Sequence, residues 1–124
     1  MGEARSELGQ RGERLAEAFL KKRGLKLLAR RYGTPAGELD LVMREGDTVV
    51  FIEVKTQRNR IFKDPQDQVT LAKQRRVVKA AKWFLARKRW TDRPGRFDVV
   101  AIILPESGPP EIEHFPDAFS AQWW

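Results

Sequence analysis

The chain has 124 residues, 41% of them hydrophobic, which is enough for one domain with its own core, and it has no cysteine, which excludes disulfides and thiolate metal sites. Its 24 Lys and Arg against 17 Asp and Glu give a formal charge of +7, which points to a polyanion as partner, nucleic acid before an anionic membrane. No apolar run reaches the ~20 residues that span a bilayer, and the polar N-terminus lacks the apolar core of a signal peptide, so the expected location is the cytoplasm.

Ser6 is an N-cap for a helix running to about Arg23, with Gly24 as its stop. Leu8, Gly12, Leu15, Ala16, Phe19 and Leu20 gather on one side of it, with Glu13 at the edge of that stripe and Glu17 a step further toward solvent. Residues 25–31 read as a first strand and 33–37 as a loop. A hairpin follows over 38–55, turned at Glu45-Gly46-Asp47, and residues 56–63 form a polar, basic loop. Pro65 and Asp67 open a helical region whose main body covers 71–90, with Leu71, Val77, Val78, Ala81, Phe84 and Leu85 as its buried stripe. Pro94-Gly95 ends it. Residues 97–104 read as a strand covered on both faces, 105–110 as a turn, 111–115 as a short edge strand, and 116–124 as a tail. A strand, a long helix and a second buried strand make a parallel, right-handed crossover. The expected fold is therefore one α/β domain over residues 1–124, a mixed central sheet flanked by an N-terminal helix and a long crossover helix.

The chemistry gathers on the hairpin. Side chains alternate along a strand, so Glu53 and Lys55 leave the sheet on one side. Ending the apolar strand 48–55 in a carboxylate and an ammonium is costly unless both meet partners. The hairpin turn can bring Asp40 beside them. Two carboxylates and a lysine meeting there make a divalent-metal site. With His114 as the one histidine, the ligands are oxygens, which favours Mg²⁺ or Mn²⁺ over Zn²⁺. The plainer alternative is a set of cross-strand ion pairs with neighbours such as Glu38 or Arg44, each contributing only ~0.2–1 kcal/mol.

The long helix carries a second signal. From Lys73 to Arg93 there are nine basic residues and one acid, Asp92. Arg75, Arg76, Lys79, Lys82 and Arg87 lie opposite the buried stripe, with Trp83 and Trp90 among them. Such a face suits phosphate contacts and base stacking, and Lys73, Arg76 and Lys79 are its candidate phosphate contacts. The tryptophans alternatively cover the sheet edge or a partner subunit. Gln57 and Arg58 either touch phosphate or belong to the loop. Gln74 either faces the metal site or pins the helix through a backbone hydrogen bond. His114 is expected to be structural, and Trp123 and Trp124 to pack on the body or in an oligomer interface.

Asp40, twelve residues, and then Glu53-Val54-Lys55, in an αβββαβ order, resembles the PD-(D/E)xK nuclease superfamily. More closely, Gly12-Glu13-Arg14-Leu15-Ala16, Gly37-Glu38-Leu39-Asp40-Leu41-Val42, Phe51-Ile52-Glu53-Val54-Lys55-Thr56, Lys73-Gln74-Arg75-Arg76 and Arg96-Phe97-Asp98 are similar to motifs of the YraN-like family of small bacterial proteins. That family is similar to archaeal Holliday-junction resolvases. One departure is Leu39 where the superfamily motif has proline; the carboxylate is the chemical requirement. The resemblance implies a restriction-endonuclease-like core and a nuclease acting on branched or single-stranded DNA. In it Asp40 and Glu53 hold the metal with the Val54 carbonyl, Lys55 orients or deprotonates the attacking water, and Glu13 is an accessory carboxylate. Symmetric cutting of a junction implies a homodimer. The alternative is a non-catalytic nucleic-acid-binding or adaptor protein that keeps the nuclease fold.

Overall fold

The computed structural model describes residues 6–60 and 69–121. Pro65, Asp67, Trp123 and Trp124 lie outside the described residues. Ser6 is extended and its hydroxyl accepts from the Gly9 amide at 3.0 Å, so α1 (Glu7–Lys22) begins at the expected cap. Arg23 caps its end and Gly24 follows, whose φ of +97° lets the Gly24 and Leu25 amides reach back to the Lys21 and Leu20 carbonyls at 3.0 and 3.1 Å.

Five strands follow in sheet order β1 (Lys26–Thr34), β2 (Gly37–Glu45), β3 (Thr48–Gln57), β4 (Gly95–Ile103) and β5 (Glu111–Phe119), with α2 (Leu71–Lys88) between β3 and β4. The β3–β4 pair is parallel and the others are antiparallel, so the parallel pairing across the crossover helix and the mixed sheet are as expected. Alternation along β3 sends Val49 and Phe51 to one face, where α2 lays down Val77, Val78, Ala81, Phe84 and Leu85. Val50 and Ile52 go to the other face, against Ala16 and Leu20 of α1. Both faces are covered, and every residue of β4 from Phe97 to Ile103 is buried. Among the described residues no helix is long and apolar enough to cross a membrane.

Four expectations are corrected. β1 runs on to Thr34, because the Thr34 hydroxyl accepts from the Ala36 and Gly37 amides at 3.1 Å and donates to the Gly37 carbonyl at 2.7 Å, which shrinks the expected loop to a tight turn. β5 extends past Phe115 to Phe119, whose ring stacks on Phe97 with centroids 5.1 Å apart. Leu71 is 53% exposed; Val69, just ahead of the Thr70 cap, is the buried residue at that end of α2. Glu17 is buried, because Arg30 of β1 reaches across to it, Nε to Oε1 at 2.6 Å and Nη2 to Oε2 at 2.9 Å.

A buried ionic cluster ties β4 to its surroundings. Asp98 is fully buried, yet it accepts from Arg96 Nε at 3.0 Å, Arg96 Nη2 at 3.1 Å and the Asp117 amide at 2.9 Å, and it bonds His114 Nε2 at 2.8 Å. Arg96 also reaches Glu45 beside the β2–β3 turn, Nη1 to Oε1 at 2.6 Å. His114 is thereby structural.

Candidate metal and nucleic-acid site

The ladder between β2 and β3 runs from the hairpin turn as far as Leu41 opposite Ile52. Asp40 and Glu53 come one step past that last pair, and there a side chain makes the cross-strand bond: the Val54 amide donates to Asp40 Oδ2 at 3.0 Å. That bond fixes the Asp40 carboxylate against the backbone between Glu53 and Lys55. Both carboxylates are buried, at 7% and 5% exposure for Asp40 and Glu53.

Together with Val54 and Lys55 they line a cleft of about 360 Å³, whose other wall is the start of α2, with Thr70, Lys73 and Arg76. The cleft thus lies where β3 ends and the crossover helix begins, the edge at which α/β sheets commonly bind ligands. Lys73 Nζ stands 3.4 Å from Glu53 Oε1. The plainer reading of the strand end is therefore met in part, with Lys73 in place of the expected Glu38 or Arg44. Lys55 is exposed, where the sequence led us to expect it desolvated.

The donor set suits a hard cation and does not suit zinc. Among the described residues no cluster of three or more His, Cys, Asp or Glu side chains could hold a metal. An ion at Asp40 and Glu53 therefore needs backbone carbonyl and water to complete its shell, which Mg²⁺ accepts readily.

Glu13 stands apart from this cleft. Its carboxylate meets Arg31 Nε at 3.4 Å and lines a neighbouring cleft of about 620 Å³ between α1 and β1, together with Arg14, Glu17, Lys21 and Arg30. Hydrogen bonding from Arg30 holds the Glu17 carboxyl below its ordinary range, against the effect of burial and with help from Lys21.

The other candidates divide. Arg76 and Lys79 are exposed on α2, as a phosphate contact requires. Gln74 donates to the Val69 carbonyl at 3.0 Å, so it pins the start of the helix. Arg58 donates to the Leu104 carbonyl at 3.3 Å. Gln57 is the last residue of β3 and its amide oxygen is buried, which turns that atom away from solvent. Trp90 packs edge-on against Phe84 at 6.1 Å and so covers the core, while Trp83 is 42% exposed. Sequence reasoning missed the Arg30–Glu17 and Lys73–Glu53 contacts. For Lys73 the signal was its place three residues after the N-cap of the crossover helix.

A profile of Uncharacterised protein family UPF0102 matches residues 12–102. A UPF0102 protein of Geotalea uraniireducens is 47% identical over 112 residues, covering 90% of this chain and 88% of the relative. Another, of Syntrophotalea carbinolica, is 42% identical over 120 residues and covers 97% of both chains. A third, of Rhodococcus opacus, is 42% identical over 113 residues, 90% of this chain and 95% of the relative. The chain belongs to this family.

Proposed function

Starting from membership of UPF0102, we propose that the protein is a metal-dependent nuclease with a restriction-endonuclease-like core, hydrolysing phosphodiester bonds in branched or single-stranded DNA. One observation carries this reading: Asp40, Glu53, Val54 and Lys55 share a single cleft whose opposite wall is basic. Asp40 and Glu53 would hold Mg²⁺ or Mn²⁺, with the Val54 carbonyl as third protein ligand. When bound, the ion supplies charge relief at the scissile phosphate and lowers the pKa of a nearby water.

The chain's own residues do the rest. The Val54 amide keeps Asp40 turned toward the cleft. Lys55 donates to the attacking water and orients it. Arg76 and Lys79 hold flanking phosphates, which fixes register along the strand without reading sequence. Glu13, engaged by Arg31 next door, has an accessory role and not a ligand's. A second copy of the chain would supply the second active site that symmetric junction cutting needs.

The Glu53–Lys73 pair favours a second reading, a non-catalytic nucleic-acid-binding or adaptor protein, because it meets the buried carboxylate's charge without a metal. One experiment separates the two. Labelled four-way junction, flap, single-stranded and linear duplex DNAs are incubated with Mg²⁺ or Mn²⁺ and the purified protein. A nuclease cuts at least one of them, and Glu53→Ala and Lys55→Ala abolish cutting while sparing binding. Salt-sensitive binding with no cutting of any substrate by the unaltered protein refutes the nuclease and leaves the adaptor.

A further inference from the structure

Lys73 occupies an unfavourable place on its own helix. It lies in the first turn of α2, where its backbone amide donates to the Thr70 cap at 3.2 Å, and that turn contains no acidic residue. The N-terminus of a helix carries partial positive charge, so an ammonium there is disfavoured unless an anion offsets it. Glu53 is that anion: Lys73 Nζ lies 3.4 Å from Oε1, and the two side chains are 42% and 7% exposed. The carboxylate is buried and the lysine's arm is half in solvent. Lysine is a single point charge on a flexible stem, so it can leave a carboxylate without breaking a bidentate fit.

Resting on the reading of Asp40 and Glu53 as metal ligands, the geometry points to Lys73 as a placeholder cation. It neutralises Glu53 in the metal-free protein, and a divalent ion displaces it. The freed ammonium then swings from the cleft wall to a phosphate of the nucleic acid. The ion therefore competes with Lys73, and metal and DNA reinforce each other's binding, since each favours the state with Lys73 released.

The test is calorimetric titration of Mn²⁺ into the metal-stripped full chain and into single variants. Lys73→Ala and the longer Lys73→Gln should each bind Mn²⁺ about threefold to fivefold more tightly than the unaltered protein, the upper worth of a half-exposed ion pair. Arg76→Ala removes a charge from the same cleft without removing the pair, and should change the affinity by about twofold or less. Glu53→Gln should abolish binding. Unchanged or weaker Mn²⁺ affinity in both Lys73 variants, or an equal gain in Arg76→Ala, overturns the placeholder and leaves the metal site standing. Absence of Glu53-dependent Mn²⁺ binding in both the unaltered protein and Lys73→Ala overturns the placeholder together with the metal site.

Discussion

Replacing Gly12 by alanine tests how α1 is seated on the strand that carries the cleft. A Cβ at Gly12 would fall 1.9 Å from Thr56 Oγ1 and 2.9 Å from Thr56 Cβ and Cγ2. Non-bonded heavy atoms settle near 3.5 Å, so helix and strand would have to part by about 1.5 Å. Overpacking a filled interface costs about 1–3 kcal/mol, and a clash with a strand residue that cannot swing aside belongs at the upper end. Against that, alanine gains about 1 kcal/mol over glycine inside a helix. The expected net loss is about 2 kcal/mol, read as a lower urea midpoint at unchanged m-value. For a chain of 124 residues this is a fall in melting temperature of roughly 6–12 °C.

Two companions make the reasoning refutable. Gly9→Ala on the same helix meets only the Ser6 hydroxyl, at 3.2 Å, and should lie between neutral and about 1 kcal/mol more stable. Thr56→Ala removes a buried hydroxyl that has no hydrogen-bond partner among the described residues, so by itself it should cost little. In that background the Gly12→Ala penalty should shrink by at least about 1 kcal/mol, a coupling that neighbours in contact show and distant sites do not. If Gly12→Ala is as stable as the unaltered protein, or its penalty survives Thr56→Ala intact, the close seating of α1 on β3 is wrong.

Asp98→Asn should destabilise by about 2–4 kcal/mol in urea titration, because the fully buried carboxylate on which Arg96, His114 and the Asp117 amide converge would lose its charge, leaving Arg96 with Glu45 alone. Burial by itself raises the Asp98 carboxyl, but hydrogen bonds from His114, Arg96 and the Asp117 amide outweigh it and hold the group below its ordinary value. A depressed folded-state value means the unfolded chain binds more protons, so this stabilisation is complete above about pH 4 and is lost as pH falls through the folded-state value. Urea midpoints measured down the acid limb should therefore fall less steeply in Asp98→Asn. Arg76→Ala and Lys79→Ala should each reduce the slope of log binding constant against log salt by about 0.9 on duplex DNA, read by fluorescence anisotropy. Glu13→Ala should retain most of any cutting that Glu53→Ala removes, measured on the same labelled junction.

Local rules carried most of the architecture. The Ser6 cap, the Gly24 stop, the hairpin turn at residues 45–47 and the apolar run of β4 each depend on neighbours in the chain, and a sequence displays neighbours. What escaped depends on groups far apart in the chain. A helical wheel sends Glu17 toward solvent; Arg30, thirteen residues on, makes burial tolerable. Pro116 and Asp117 read as the end of a strand, yet β5 is an edge strand that accepts both. Asp117 takes a left-handed φ of +52° and presents its amide to Asp98. At the cleft, alternation along β3 placed Glu53 and Lys55 together, and the hairpin turn brought Asp40 into the same cleft. The cation supplied by the crossover helix was harder to see: its place three residues after the Thr70 cap was legible, but nothing local links Lys73 to Glu53.

The buried carboxylates differ in what meets them, and the difference separates scaffold from site. Asp98 and Glu17 are each gripped by the two-pronged guanidinium of an arginine, with contacts of 2.6–3.1 Å. A planar fork on a carboxylate fixes direction as well as charge, which suits a joint between strands or between helix and sheet. Glu53 is met by a lysine at 3.4 Å, on a helix end that would repel it, at the mouth of a cleft. A scaffold contact at that position gains nothing from a partner that can swing away, whereas a carboxylate that must exchange its cation does. Exchanging Lys73 for arginine makes the point measurable: a tighter grip on Glu53 should raise the urea midpoint slightly and weaken Mn²⁺ binding. A rise in both would contradict the exchange.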